Sequence, residues 1–213
     1  MKTISEIYTE YKVLPFLQLH MLRVAAVAQI VCDSMNVPVD RENILSTCLL
    51  HDMGNIIKID MTYYPETFEP EGVPYWQNVK DEYINKYGKN ETEATRMIVK
   101  EVGREDLMPY IDTFGFPNWK KNLESEDLNK KICFYVDQRV APKNIVSIKG
   151  RLEEGAKRYH KNYDVIELGH DNVLNSLMEI EKQIFSFSKI KPEDITDEVV
   201  APIVLQLRDF VIK

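Results

Sequence analysis

The amino-acid sequence predicts an all-α protein, and three observations support this fold class. Apolar residues recur at spacings of three and four along several stretches, as they do on one face of an α-helix. Residues that typically begin or end helices flank these stretches, and no strand-like alternation of polar and apolar residues occurs. The chain has 213 residues, enough for one substantial core, so a single domain is the simplest expectation.

The first part of the chain predicts three helices. A short polar helix is expected over residues 3–12, and a long amphipathic helix over about residues 14–35. Asp40 is expected to cap a third helix, which contains the stretch 49–52 and ends at Gly54. Because the second and third helices are joined by a short connection, they should pack antiparallel.

The rest of the chain predicts one long ordered loop followed by further helices. Residues 56–79 are rich in proline and aromatic side chains, which favours an ordered loop over a helix. The domain core is expected to span about residues 14–160, with a helical extension from about 165 to 213. The later helices are expected at residues 79–87, 90–102, 104–114, 125–140, 147–159, 171–187 and 197–211, with a turn at 116–119.

Composition and charge argue against several classes of function. The chain has 27 Lys and Arg against 34 Asp and Glu, a net charge of −7, so no nucleic-acid partner is expected. No run of about 18 uncharged apolar residues occurs, so neither a membrane span nor a leader is expected. Cys32, Cys48 and Cys133 lie in apolar surroundings, which predicts free buried thiols and a cytoplasmic location.

Three of the apolar helices carry side chains that can bind a metal ion. They are His20 on the second helix, His51 and Asp52 on the third, and Asp137 on a later one. Each has a simpler explanation alone, since a core histidine can bond a carbonyl and an aspartate can pair with arginine. Buried carboxylates are costly unless paired or metal-bound. Together the four favour a divalent cation site suited to Mn²⁺, Fe²⁺, Ni²⁺, Co²⁺, Mg²⁺ or Zn²⁺.

The stretches that contain these residues resemble a known family. The order His…His-Asp…Asp, on helices, looks like the HD-domain superfamily of metal-dependent phosphohydrolases. The resemblance rests on residues 17–25, 49–55 and 135–140, and it spans about residues 14–159. It implies an HD-type helical bundle to which the C-terminal helices are added.

The resemblance also implies roles for individual residues. His20, His51, Asp52 and Asp137 would be the metal ligands, and a metal-activated water would hydrolyse a small phosphomonoester or a nucleotide. Binuclear members of the family add histidines after the His-Asp pair, and this chain has none before His160, so one metal ion is expected. The expected catalytic residues are Asp52 and Asp60, and the expected phosphate-binding residues are Arg23, Lys143 and Arg151.

One departure from the family leaves an alternative function open. Asn55 stands where many members have lysine and some have glutamate, and an amide forms hydrogen bonds but does not titrate. The alternative is therefore a catalytically weak regulatory module of the HD fold that binds a metal ion or a nucleotide. The aromatic loop 61–76 is expected to stack on a base or cover the site. The helices after residue 165 either cap the site or form a homodimer contact.

Overall fold

The protein is built almost entirely from helices, as the sequence predicts. The structure, a computed structural model, describes residues 1–62, 65–158 and 170–213. Within these ranges the chain forms eleven α-helices and one small antiparallel sheet of two strands. The all-α fold class is confirmed.

The elements follow one another along the chain with short connections. The strands are β1 (Lys2–Thr3) and β2 (Val211–Ile212). Short 3-10 helices occur at Asn55–Lys58, Pro65–Phe68, Glu105–Leu107, Phe116–Asn118 and Pro192–Asp194. The α-helices are α1 (Ile4–Glu10), α2 (Pro15–Ser34), α3 (Arg41–Leu50), α4 (Val73–Tyr87), α5 (Glu91–Glu101), α6 (Met108–Ile111), α7 (Trp119–Glu124), α8 (Leu128–Asp137), α9 (Ile148–Arg158), α10 (His170–Phe185) and α11 (Asp197–Leu207).

Helix α2 lies at the centre of the core. It packs against α3, α8 and α11, and five consecutive residues, 24–28, are fully buried. Among the described residues it is the one helix long and apolar enough to cross a membrane by length and composition. A central core helix has the same properties, and 56% of its most apolar window is buried inside the protein. Cys32, Cys48 and Cys133 are buried free thiols, as predicted.

The N-terminus is fixed by local and long-range contacts. Thr3 and Glu6 form a reciprocal capping box at the start of α1, which satisfies backbone N–H groups that the helix leaves free. Ile4, Ile7 and Tyr8 form the buried face of this helix, so it is less polar than the sequence analysis suggested. Strand β1 pairs with β2 and thereby joins the two ends of the chain.

Several element boundaries differ from the predictions. Helix α3 ends at Leu50 rather than at Gly54, because residues 51–54 form a turn that leads into the following 3-10 helix. Helix α4 begins six residues earlier than predicted. Pro74 lies within its first two positions, where proline loses no hydrogen bond. The helix predicted over 104–114 is a 3-10 turn followed by the single turn of α6.

The two C-terminal helices pack against different helices of the core. Helix α10 contacts α7, α8 and α9, while α11 contacts α2. The predicted boundary between core and extension, near residues 160–165, lies outside the described residues, as do Tyr63 and Tyr64 of the aromatic loop. The single-domain organisation and the role of the extension stay predictions.

Candidate metal centre

The structure brings the four predicted metal ligands into one cluster. His20 lies in the first half of α2, His51 and Asp52 directly follow α3, and Asp137 is the last residue of α8. His20 Nε2 lies 3.1 Å from Asp137 Oδ1 and 3.7 Å from Asp52 Oδ2. His51 Nε2 lies 3.5 Å from Asp52 Oδ1 and 3.6 Å from Asp137 Oδ1. Two imidazoles and two carboxylates therefore face a common space.

The cluster is buried on one side and reachable from the other. The His51 side chain is only 2% exposed, whereas those of His20, Asp52 and Asp137 are 19%, 21% and 16% exposed. Donor atoms of His20, His51 and Asp52 all lie within 4.8 Å of one another. This spacing suits ligands that share one cation, with solvent access for a further ligand.

The hydrogen bonding of His51 tests whether a cation fits this space. His51 Nδ1 lies 2.8 Å from the carbonyl oxygen of Cys48 and must donate to it, because a carbonyl only accepts. In neutral His51 the lone pair therefore sits on Nε2, which is buried and has no hydrogen-bond partner among the described residues. A lone pair directed at two carboxylates is unfavourable unless a positive charge lies between them. The donor set therefore fits a metal ion.

The pKa shifts in the cluster also show that the space favours positive charge. Burial lowers the pKa of His51, but the charges of Asp52 and Asp137 outweigh it and raise the pKa to about 9. Burial raises the pKa of Asp137, but the hydrogen bond with His20 and the nearby charge of His51 hold it well below its ordinary value. Both shifts favour a positively charged His51 beside ionised carboxylates, so this space stabilises positive charge.

Backbone contacts hold the His51-Asp52 segment in place from two directions. The buried hydroxyl of Tyr8 donates to the carbonyl of Leu49 at 2.7 Å, which fixes the end of α3. The backbone N–H of Gly54 donates to Thr95 Oγ1 of α5 at 2.9 Å. A side chain on Gly54 would collide with α5, so glycine is needed here for a close approach of two backbones.

Two residues that the sequence analysis did not select contact the cluster. The amide Nε2 of buried Gln138 donates to Asp137 Oδ2 at 3.0 Å, which leaves Oδ1 directed at the histidines. The ring of Phe114 stacks on the His51 imidazole with centroids 4.3 Å apart and planes at 21°. No local pattern relates Phe114 to His51, because they lie 63 positions apart in the sequence.

The predicted catalytic residue Asp60 lies outside this network. Its side chain is exposed and accepts hydrogen bonds from the backbone and hydroxyl of Thr62, which lower its pKa. Among the described residues, no hydrogen bond or ion pair joins it to the cluster. Asn55 is buried, and its backbone N–H donates to the carbonyl of Asp52. Its backbone therefore lies next to Asp52.

The three predicted phosphate-binding residues lie in different surroundings. Arg23 lies on α2 close to one turn beyond His20 and donates to the carbonyl of Pro142 at 3.2 Å. Lys143 is exposed and makes no hydrogen bond or ion pair in the described part of the chain. Arg151 pairs with Glu154 on α9 at 2.9 Å, and its buried Nε has no partner in that part. Their role in binding stays a prediction.

Fold and site together define a helical protein with a mixed histidine and carboxylate cluster that suits a divalent cation. Residues 18–107 match the family model described as the HD domain. Over this segment the chain is therefore similar to proteins of the HD-domain superfamily. The matched segment includes His20, His51 and Asp52, whereas Asp137 lies beyond it. No curated protein and no solved structure matches the chain significantly.

Proposed function

We propose that the protein is a metal-dependent phosphohydrolase that acts on a small phosphomonoester or a nucleotide. The observation that carries the proposal is the buried, unpartnered Nε2 of His51, which faces the carboxylates of Asp52 and Asp137. The HD domain supports it, because the superfamily includes metal-dependent phosphohydrolases. One divalent ion at this position would lower the pKa of a water molecule and neutralise charge on a phosphate oxygen.

The proposal assigns a role to each group around the ion. His20, His51, Asp52 and Asp137 hold it. Asp52 is the most exposed of the four, so its carboxylate is best placed to orient a water and accept its proton.

Phosphate binding is assigned to three basic residues, Arg23, Lys143 and Arg151. Arg23 uses one guanidinium N–H for Pro142, which leaves other N–H groups for a phosphate. Lys143, next to Pro142, and Arg151 would add positive charge. Asp60 would act only with a substrate that reaches the exposed turn at Thr62.

A second candidate function rests on Asn55. It is 6% exposed and follows the His-Asp pair closely, yet its amide cannot take part in general acid–base catalysis. This favours a regulatory module that binds a metal ion and a nucleotide without turnover. Both candidates require the same ion, so metal binding alone does not separate them.

One experiment separates the two candidates. The purified protein, stripped of metal, is loaded with Mn²⁺, Fe²⁺, Co²⁺, Ni²⁺, Mg²⁺ or Zn²⁺ and assayed on phosphomonoesters and nucleotides. The hydrolase proposal expects phosphate release that disappears in His51→Ala and Asp52→Ala while the helical circular dichroism signal persists. Stoichiometric metal and nucleotide binding without phosphate release from any substrate would instead support the regulatory module.

A further inference from the structure

The His51 ring is held by two different kinds of contact. Its Nδ1 donates to the carbonyl of Cys48, three residues earlier in the chain. One of its faces lies nearly parallel to the ring of Phe114, at a centroid distance of 4.3 Å. His20 approaches the same imidazole with a centroid distance of 5.3 Å and a tilt of 59°. The ring thus has neighbours at Nδ1 and on one face, while Nε2 faces the carboxylates.

The hydrogen bond to Cys48 does not by itself fix the direction of Nε2. Rotation about the last side-chain torsion of histidine meets a broad energy profile, so its angle is set by surroundings rather than by a narrow rotamer. A single hydrogen bond fixes the position of Nδ1 but allows the ring plane to swing about it. A flat partner against one face removes that freedom, because tilting the ring breaks the stack.

Phe114 is itself held firmly enough to act as such a partner. Its carbonyl accepts from Asn118 Nδ2 at 2.5 Å, and Asn122 Nδ2 donates to the carbonyl of the preceding Thr113 at 3.0 Å. The following Gly115 has φ of +91°, a conformation that glycine adopts readily, and it turns the chain back toward Asn118. These contacts come from α7 and its preceding turn, and α7 packs against α8 and α10.

We propose that Phe114 is a positioning residue of the metal centre: its ring fixes the plane of the His51 imidazole so that Nε2 points between Asp52 and Asp137. The inference rests on the proposed function, because it assigns the purpose of the stack to metal binding. Phe114 does not ligate the ion. It restricts the orientation of the His51 ring before the ion binds, so that less conformational freedom is lost on binding.

The test compares three variants in the full-length protein. Phe114→Leu keeps much of the apolar volume but removes the flat ring, and Phe114→Tyr keeps the ring. The matched control is Phe116→Leu, which changes a half-buried aromatic residue of the same loop that makes no ring contact with the histidines in the described structure. Thermal unfolding confirms that each variant folds.

The first readout uses the metal-free protein and needs no enzyme activity. Proton NMR follows the His51 Nδ1–H signal, assigned by its loss in His51→Gln. We expect the Nδ1–H to exchange with water about 5-fold faster in Phe114→Leu, since a tilting ring opens its hydrogen bond more often. Phe114→Tyr and Phe116→Leu should exchange at the wild-type rate. An unchanged rate in Phe114→Leu overturns the proposal.

The second readout is the dissociation constant for Co²⁺, measured by its visible absorption. We expect it to rise about 3- to 10-fold in Phe114→Leu and to return to the wild-type value in Phe114→Tyr. Faster Nδ1–H exchange with unchanged Co²⁺ affinity would show that the ring orients His51 but not for metal binding, which overturns the inference. If the wild type binds no divalent ion, the proposed function fails, and the positioning role in metal binding fails with it.

Discussion

Replacing Gly54 with alanine should disrupt the packing beneath the candidate metal centre. A β-carbon there would lie 2.4 Å from the carbonyl oxygen of Glu91, 2.7 Å from the nitrogen of Thr95 and 2.8 Å from Ala94 Cβ. Two of these are backbone atoms, so relief requires α5 to move away from the turn. Overpacking of this kind costs about 1–3 kcal/mol, and weakening the Gly54–Thr95 hydrogen bond adds about 1 kcal/mol.

The free energy of unfolding should therefore fall by about 3 kcal/mol in Gly54→Ala, as measured by urea denaturation. The control is Gly150→Ala on α9, where a β-carbon would approach no atom closer than 3.4 Å. Alanine is the better helix former, so this variant should be unchanged or up to about 1 kcal/mol more stable. A Gly54→Ala protein within about 0.5 kcal/mol of the wild type would refute the close approach of the two backbones.

Two further predictions follow from the contacts around His51. In the metal-free protein, the raised pKa of His51 contributes stability that is complete below its ordinary pKa of 6.5 and is lost as the pH rises through about 9. Urea denaturation at a series of pH values should show a loss of at most about 3 kcal/mol in the free energy of unfolding, and Asp52→Asn should reduce this loss. A free energy of unfolding that does not change with pH over this range in the wild type would contradict the charge pairing of His51 with the aspartates. Tyr8→Phe should lower the free energy of unfolding by about 1–3 kcal/mol, because the carbonyl of Leu49 is left without its buried donor. An unchanged free energy of unfolding would show that this hydrogen bond does not stabilise the end of α3.

The sequence predicted helix starts well where a polar capping residue marks them, because capping is local. Asp40 accepts from Asn43 N at the start of α3, as the sequence indicates. For α5 the sequence offers Asn90 or Thr92 as the cap, and the structure shows Asn90 accepting from Glu93 N. The start of α4 was misplaced because prolines before residue 79 were interpreted as loop signals, although proline is also favoured in a first helical turn.

Apart from the metal-ligand cluster, contacts between distant parts of the chain could not be predicted from the sequence. Strands β1 and β2 have two residues each, so they are too short to produce an alternating pattern. The sequence predicted that His20, His51, Asp52 and Asp137 would lie together, and their order along three apolar helices was the signal. It gave no indication of Phe114, whose contact with His51 is set by the packing of a loop that was predicted as helix.

The binding of a divalent ion to the metal-free protein tests the central claim most directly. Equilibrium dialysis with elemental analysis should find about one ion per chain in the wild type. His51→Ala and Asp137→Ala should weaken binding by more than about 100-fold while the helical content is retained, and exposed Asp60→Asn should bind as the wild type does. Wild-type protein that binds no ion, or ligand variants that bind as tightly as the wild type, would contradict the account.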